Sequence, residues 1–205
     1  SFSLQASAPS GQPILIPAGA VLPEALPEPA PGQVLHYPFG RLEITAVLPG
    51  NADSGPDAIT LQTTDTTEKK RRLLHTAWLF AGAPYLWGGR SVLGIDCSGF
   101  IQIVLQMHGY DSPRDASQQV NMPKSQAFMR GTDLGRAQPG DIVYFSFDGV
   151  HVVHVGFYAG GGRLLHASGT VKMEYIDEAA YKRNTPTFAF NERLAHHIYA
   201  IQHLR

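Results

Sequence analysis

The sequence predicts an α+β protein in which helices come first and an antiparallel sheet follows. From about residue 65 to residue 108, apolar residues recur at helical spacing, and from residue 140 onwards strand-like runs alternate with glycine-containing turns. Eight of the fifteen prolines lie within the first 40 residues, which argues against helices there. We therefore predict a small β-rich domain at residues 1–64 and a larger domain at residues 65–205.

The composition is that of a compact folded protein. Charged residues make up 16% of the 205 residues, against about 25% in a typical globular protein, and 43% of residues are hydrophobic. A formal net charge of −1 gives no field that would attract nucleic acid or an anionic membrane. No segment approaches the roughly 20 consecutive apolar residues of a membrane span. We expect neither a nucleic-acid partner nor a membrane span, and the oligomeric state stays open.

The N-terminal domain contains short strand-like segments separated by turn residues. Three of them are QVLHYPFG, RLEITAVLP and DAITLQTT. Such a succession is typical of a small β-barrel, and we predict one within residues 12–63. The alternative is an irregular extension of the larger domain.

The larger domain is predicted to begin with a helix. Asp65 followed by Glu68 resembles a capping box, and Gly82 and Pro84 end the helical pattern. The face expected to be buried carries apolar residues at helical spacing: Leu73, Leu74, Ala77, Trp78 and Ala81.

A second helix is predicted from Cys97 to His108. Gly109 follows it, in the position where a left-handed residue commonly ends a helix. The apolar side of this helix consists of Phe100, Ile101, Val104 and Met107. Cys97, the only cysteine of the chain, would lie in the first turn.

Four strand runs follow a short helix-like segment, PRDASQQV. They are GDIVYFSF, HVVHVGFYA, GRLLHAS and VKMEYI. Strands joined by short turns form an antiparallel meander. We expect this sheet to pack on the helix that begins at Cys97.

The predicted position of Cys97 favours a reactive thiol. At a helix N-terminus the sulfur faces unpaired N–H groups and the positive end of the helix dipole, and both favour the thiolate. We therefore expect Cys97 to alkylate rapidly below about 8.5, the ordinary thiol pKa. The alternative is a small buried hydrophobe, because free cysteine is among the most buried residue types.

Two histidines follow the cysteine on neighbouring predicted strands. If the hairpin has an odd-length connection centred on Gly160, or an equivalent bulge, His154 and His166 become cross-strand neighbours on one face. His154 could then take the thiol proton while His166 orients its ring. The opposite face, which points into the core, would carry the residues that alternate with His154 along the strand: Val153, Val155 and Phe157.

A metal site is the alternative use of these histidines. Cys97, His154 and His166 have the right ligand types for zinc. A nucleophile explains the position at the helix start better, and we expect no metal and no other cofactor. His151 and His154 are three residues apart and would point to opposite faces of a strand, so we interpret His151 as a strand-entry residue.

Four blocks of this chain together resemble the NlpC-type cell-wall cysteine peptidases, a papain-like family that cuts peptidoglycan stem peptides. The blocks are PYLWGGRSVLGIDCSGF, PRDASQQ, QPGDIVYF and HVVHVGFYAGGGRLLHAS. They occur in the family's order from about residue 66 to near the C-terminus. The resemblance implies that Cys97 is the catalytic nucleophile, His154 its base and His166 the third polar residue.

The resemblance also implies a set of residues around the substrate: Tyr85 beside the nucleophile, and Trp87, Asp96, Ser98 and Asp115 along the groove. Each has a structural alternative. Trp87 could be core, Ser98 a helix-turn residue, and Asp96 and Asp115 helix caps.

In the related enzymes that trim or recycle stem peptides, a bacterial SH3-like domain helps to bind a free N-terminal L-Ala. Residues 1–64 would hold one such domain. The resemblance implies a γ-D-glutamyl-diamino acid endopeptidase, acting on peptidoglycan stem peptides or released muropeptides in the bacterial envelope, outside the cell or in cytoplasmic recycling. The alternatives are an amidase or transpeptidase of the same fold, and a non-catalytic cell-wall-binding protein.

Overall fold

The computed structural model describes residues 66–123, 127–129, 131–184 and 187–205, together with the backbone of four N-terminal strands. The chain divides into two compact units. One comprises residues 1–61 and 91–93, and the other residues 62–90 and 94–205.

The four described strands of the first unit form an antiparallel sheet in the order β2-β1-β4-β3. They are β1 (Phe2–Ser7), β2 (Pro13–Ile16), β3 (Val34–Tyr37) and β4 (Gly40–Pro49). Two of them occupy the predicted segments QVLHYPFG and RLEITAVLP. The third predicted segment, DAITLQTT, lies outside the described residues. The assignment of residues 1–64 to an SH3-like domain stays a prediction.

The second unit has the α+β architecture expected from the sequence, with helices packed on an antiparallel sheet. Its described helices are α1 (Thr66–Trp78), α2 (Cys97–Met107), α3 (Ala116–Gln119), α4 (Glu178–Arg183) and α5 (Glu192–Ala195). A two-residue pair, β5 (Arg90–Ser91) and β6 (Gly94–Ile95), precedes α2. No described helix is long and apolar enough to cross a membrane.

Six of the described strands form the main sheet, in the order β11-β10-β9-β8-β12-β7, and every neighbouring pair is antiparallel. They are β7 (Ala127–Met129), β8 (Ile142–Phe145), β9 (His154–Gly160), β10 (Arg163–Ser168), β11 (Thr170–Tyr175) and β12 (Ile198–Leu204). The strands β8 to β11 correspond to the four predicted runs. β12 inserts between β8 and β7, so the C-terminal segment completes the sheet.

Both faces of this sheet are covered. On one face Phe157 meets Phe100 of α2 edge to face, with ring centroids 5.6 Å apart, and Phe80 packs on Phe100 at 5.9 Å. Because side chains alternate along a strand, the opposite face carries the other residues of β8 and β9. That face holds a buried cluster: Val143, Phe145, Tyr158, Leu164, Ile176, Leu194 and Ile201.

α2 has its predicted bounds to within one residue, whereas α1 ends at Trp78, before the predicted stop at Gly82, and its buried face also differs from the prediction. Leu73 and Ala77 are buried, whereas Trp78 and Ala81 are exposed. Ala81 lies beyond the last residue of the helix, Trp78, so the helical spacing does not apply to it. α2 ends where expected, and Gly109 has the left-handed φ of 78°.

A buried charged cluster connects α1 to the sheet. Lys70 Nζ donates to Asp141 Oδ1 at 2.6 Å and lies 2.7 Å from Nδ1 of His203, which is itself 2.9 Å from Asp141 Oδ1. All three side chains are buried. The other Asp141 oxygen accepts the Gln138 N–H at 2.9 Å. The cluster therefore compensates a carboxylate that would otherwise be buried without enough partners.

We expect Lys70→Ala to lower the free energy of unfolding by about 3–5 kcal/mol, because it leaves the buried Asp141 without its cation. Lys69→Ala, one position earlier on the same helix and less buried, is the matched control and should change it by about 0.5 kcal/mol or less. Urea unfolding of the two variants and the parent measures the difference. Equal stabilities for the two variants would contradict this role of Lys70.

Candidate active site

The N-terminus of α2 is fixed by Asp96. Its Oδ1 accepts the Gly99 N–H at 2.7 Å and its Oδ2 accepts the Gly88 N–H at 2.8 Å. Arg114 binds both oxygens of the same carboxylate, with Nη1 at 3.0 Å from Oδ1 and Nη2 on Oδ2. Burial acts against the charged form of Asp96, but these hydrogen bonds outweigh it and lower the pKa of the carboxyl. Asp96 is therefore an ionised helix cap.

Glycine at position 99 permits this tight start of the helix. A Cβ there would lie 2.4 Å from the Gly89 carbonyl oxygen, well inside the closest contact that real Cβ atoms make. The turn before α2 and the helix can approach each other only because residue 99 has no side chain.

Cys97 lies in the first turn of α2, as predicted, with 8% of its surface exposed. Backbone N–H groups of Ser98, Val155 and Cys97 itself are close enough to the sulfur to act on it, each in the direction that lowers the pKa of the thiol. Val155 belongs to β9, and the paired positions of β9 and β10 stop at Phe157 and Leu165. The thiol therefore occupies a place beside β9 where the ladder to β10 has ended.

The electrostatics of Cys97 differ from the expectation. Burial raises the pKa of the thiol, and the negative charge of Asp96 raises it further. The N–H groups at the helix start act in the predicted direction, but they are outweighed. The prediction of a lowered thiol pKa was wrong, because it considered the helix terminus without burial and without the neighbouring carboxylate.

His154 and His166 are brought together. His154 Nε2 lies 2.7 Å from His166 Nδ1, and the two rings meet edge to face with centroids 5.0 Å apart. His154 is the first residue of β9, so the histidine and the Val155 amide that contacts the Cys97 sulfur are consecutive in the chain.

The register that brings the histidines together differs from the one predicted. A bulge at the β9–β10 turn pairs Leu164 with Tyr158 and Leu165 with Phe157. His166 therefore lies opposite Gly156 and diagonal to His154, two residues away from the direct pairing expected. The two histidines still share one face, because the shift is an even number of residues.

Glycine at position 156 makes room for this pairing, because a Cβ there would lie 2.9 Å from the His166 Cβ. On the other face Val155 and Phe157 are buried as predicted. Val153 precedes β9 and is 49% exposed, so the prediction that it enters the core was wrong.

The base candidate is neutral at rest. Burial lowers the pKa of His154 to about 3, and the neighbouring His166 adds to this effect while Glu174 partly opposes it. Together with the raised pKa of Cys97, this gives a resting pair of neutral imidazole and neutral thiol. Proton transfer from sulfur must then accompany attack on a substrate.

Tyr85 lies in the same neighbourhood. Its backbone N–H donates to the Gly169 carbonyl at 2.8 Å, and it bridges to Ile95 beside α2. Burial raises the pKa of the Tyr85 hydroxyl, and its interaction with Cys97 raises it further. The phenol is therefore protonated at neutral pH.

The remaining predicted groove residues fall into two groups. Ser98 is buried, donating to Asp96 Oδ1 at 3.3 Å and accepting from Arg114 Nη1 at 2.9 Å. Trp87 is 86% exposed, so the alternative that it is a core residue was wrong. Asp115 occupies the N-cap position of α3 but makes no capping hydrogen bond, and it is exposed.

His151 is not a strand-entry residue, because β9 begins three residues later. It lies in the preceding turn, where its Nδ1 is 2.6 Å from Asp148 Oδ2 at the surface. In the part of the chain that the structure describes, no three His, Cys, Asp or Glu side chains are grouped so as to hold a metal ion.

Sequence reasoning missed two charged residues of this site, Arg114 and Glu174. Arg114 lies within the PRDASQQ block, but nothing in its spacing indicates that it reaches back to Asp96. Glu174 Oε2 lies 2.9 Å from Nε2 of the buried His166 and extends the chain of side chains that begins at His154.

Similarity to known proteins covers the same region. The chain is 39% identical over 104 residues to a gamma-D-glutamyl-L-lysine dipeptidyl-peptidase of Bacillus subtilis, an alignment that covers 49% of this chain and 32% of the relative. It is 37% identical over 108 residues to a gamma-DL-glutamyl hydrolase of the same organism, covering 50% of this chain and 25% of the relative. The chain thus spans a third or less of these relatives' length.

The fold also matches a solved structure, that of an NlpC/P60 family protein from Bacillus cereus. The TM-score is 0.61 at 22% identity, covering 97% of this chain and 59% of the other. The NlpC/P60 family model matches residues 82–189, which include Cys97, His154 and His166. The chain belongs to the NlpC/P60 family.

Proposed function

We propose that this protein is a cysteine peptidase that hydrolyses the bond between γ-D-glutamate and a diamino acid in peptidoglycan stem peptides. One observation carries the proposal: a single thiol at a helix N-terminus contacts the β9 amide next to His154, whose ring is hydrogen bonded to His166. A nucleophile, a base and a residue that orients the base are the three parts of a cysteine peptidase.

In the proposed reaction, the Cys97 sulfur attacks the γ-carbonyl carbon of D-glutamate while His154 takes the thiol proton. The tetrahedral intermediate collapses, His154 returns the proton to the leaving amine, and a thioester remains on Cys97. Water then attacks the thioester, with His154 as base, and releases the γ-carboxylate and the free thiol. N–H groups at the start of α2 and the Tyr85 hydroxyl are the candidate donors to the oxyanion.

The choice of bond rests on the relatives. Gamma-D-glutamyl-L-lysine dipeptidyl-peptidase and gamma-DL-glutamyl hydrolase both name a bond to a γ-glutamyl group. The shared part is the acyl side, so we assign γ-D-glutamate to the side that Cys97 attacks. A diamino acid on the leaving side follows the first of these names.

Among the predicted groove residues, exposure and hydrogen bonding favour some as substrate-binding candidates and others as supporting residues. Asp96 already accepts hydrogen bonds from two backbone amides, Arg114 and Ser98, so few of its lone pairs are free. Asp115 is exposed and makes no capping bond. We therefore propose Asp115, rather than Asp96, as the carboxylate that would meet a substrate ammonium group, with exposed Trp87 as an apolar contact.

The test is cleavage of defined peptides, followed by mass spectrometry. L-Ala-γ-D-Glu-L-Lys and its diaminopimelate counterpart should release the free diamino acid. The isomer with an α-linked D-glutamate should stay intact, and N-acetylation of the L-Ala tests whether a free amine is required. Absence of turnover of all γ-linked peptides between pH 4 and pH 9 would contradict the proposal. Binding of intact peptidoglycan without cleavage would instead support a non-catalytic role.

A further inference from the structure

The hydrogen-bonded chain that starts at His154 continues through His166 to a carboxylate on β11. Glu174 Oε2 lies 2.9 Å from His166 Nε2 and accepts a hydrogen bond from Asn191 Nδ2 at 2.7 Å. Its other oxygen, Oε1, lies 2.9 Å from Lys172 Nζ. Groups on β10, on β11 and just before α5 thus converge on one side chain, which is mostly buried.

The strand register gives this contact a defined geometry. β11 pairs with β10 so that Glu174 is opposite Leu164 and Lys172 is opposite His166. Glu174 therefore reaches His166 along the diagonal of the ladder, on the face that both share. A carboxylate is costly to bury, and it is retained here only with a full set of donors.

The acceptor-only chemistry of a carboxylate fixes the protons of both rings. Because ionised Glu174 can only accept, Nε2 of His166 must carry a hydrogen. When both rings are neutral, Nδ1 of His166 is then an acceptor, so the hydrogen between the rings belongs to Nε2 of His154. The remaining nitrogen of His154, Nδ1, is left with a lone pair and no hydrogen.

Glu174 carries its negative charge over the whole pH range of the proposed assays, pH 4 to pH 9. Burial disfavours its ionised form, but the hydrogen bonds from His166, Asn191 and Lys172 prevail and lower the pKa of the carboxyl to about 2. The negative charge of Glu174, which contacts His154 through His166, also favours the protonated form of His154. That form has to arise when His154 takes the thiol proton. The other charged group that faces this carboxylate is Lys172.

We propose that Glu174 is a positioning residue that acts through His166 to keep Nδ1 of His154 unprotonated and ready to accept the Cys97 proton. The inference rests on the proposed function, because it assigns His154 as the base. The competing explanation is that Glu174 only makes a stabilising ion pair with Lys172. That explanation predicts effects on stability and none on the tautomers of the two histidines.

The first measurement is independent of activity. Imidazole ¹⁵N chemical shifts of histidine-labelled protein distinguish a ring nitrogen that carries a hydrogen from one that does not. The two resonance sets are assigned from the spectra of His154→Gln and His166→Gln. We expect both rings to carry hydrogen on Nε2 in the parent. Glu174→Met should populate the Nδ1–H tautomer of His166, whereas Glu174→Gln, whose side-chain oxygen still accepts, should largely preserve the parent pattern.

The second measurement is steady-state kinetics on the γ-linked peptide. Glu174→Met should lower kcat by about 10- to 100-fold, with KM changed by about twofold or less, and Glu174→Gln should recover part of the loss. Glu178 supplies the matched controls. It is an exposed glutamate on α4 paired with Lys182, and its Gln and Met variants should keep the parent kcat.

The outcomes separate this inference from the proposed function. If the parent cleaves the peptide while Glu174→Met keeps both kcat and the parent tautomers, Glu174 is not a positioning residue. If the parent cleaves nothing, the proposed function fails, and the ¹⁵N spectra alone decide whether Glu174 sets the tautomers. Should Glu174→Met not fold, the parent spectra and Glu174→Gln decide. Parent rings that both carry hydrogen on Nε2, kept in Glu174→Gln together with most of the parent kcat, would support the inference. Hydrogen on Nδ1 of either parent ring would overturn it, and so would a loss of kcat of about 10- to 100-fold in Glu174→Gln with unchanged tautomers.

Discussion

Replacing Cys97 by alanine should abolish cleavage of the γ-linked peptide, with a loss in kcat of at least about 10³-fold and no detectable acyl-enzyme. The reason is chemical: no other cysteine exists in the chain, so no second thiol can take the place of Cys97 as nucleophile. Mass spectrometry of the parent, quenched during turnover, should show the mass of the acyl group on Cys97.

The fold should survive this substitution. Cys97 to alanine removes one buried sulfur atom and leaves the Asp96 cap and its hydrogen bond to Gly99 in place. We expect a decrease in the free energy of unfolding of about 1 kcal/mol. Cys97→Ser is the companion variant, since its hydroxyl has nearly the thiol's shape but is much harder to ionise. Turnover by either variant near the parent rate would show that Cys97 is not the nucleophile.

Much of the site's position could be predicted because it depends on local signals. The start of α2 is set by Asp96 as cap and Cys97 directly after it, and both are visible in the sequence. To predict that His154 and His166 share one face, the hairpin register had to be correct only to within an even number of residues. That much was predicted, although the register itself was not, because the bulge next to Gly160 depends on glycine conformations rather than on strand patterns.

The unpredicted features depend on contacts between distant parts of the chain. β12 joins the sheet between β8 and β7, and nothing in its own sequence specifies those neighbours. Arg114 reaches Asp96 from 18 residues away, and Glu174 reaches His166 from the neighbouring strand. The buried Lys70 likewise depends on Asp141 and His203, which are far along the chain.

The wrong prediction of a lowered Cys97 pKa has the same cause, because that pKa also depends on contacts from distant parts of the chain. Helix position is a local property and was predicted, whereas burial is a property of the whole fold. In the structure, burial raises the pKa of Cys97 and lowers that of His154, so each shift favours the neutral form of its group. A peptidase with this resting state should keep its base deprotonated well below neutral pH, since His154 gains a proton only near pH 3.

His154→Ala should lower kcat by about 10²- to 10⁴-fold, the usual contribution of a general base, because the neutral Cys97 thiol then has no group to take its proton. His151→Ala is the matched control. It removes the same side chain three residues earlier, at a surface site where His151 contacts only the Asp148 carboxylate among the described hydrogen bonds. We expect parent kcat and KM for this control.

Both variants would be assayed with the γ-linked peptide across pH 4 to pH 9, and their stabilities compared by thermal unfolding. The neutral His154 of the parent predicts that parent kcat holds as the pH falls from 7 towards 4, because protonation of this ring occurs only near pH 3. Equal losses of kcat in His154→Ala and His151→Ala would point to damage to the β8–β9 connection. Retained activity in His154→Ala would show that another group accepts the Cys97 proton, and the mechanism proposed for this site would then be wrong.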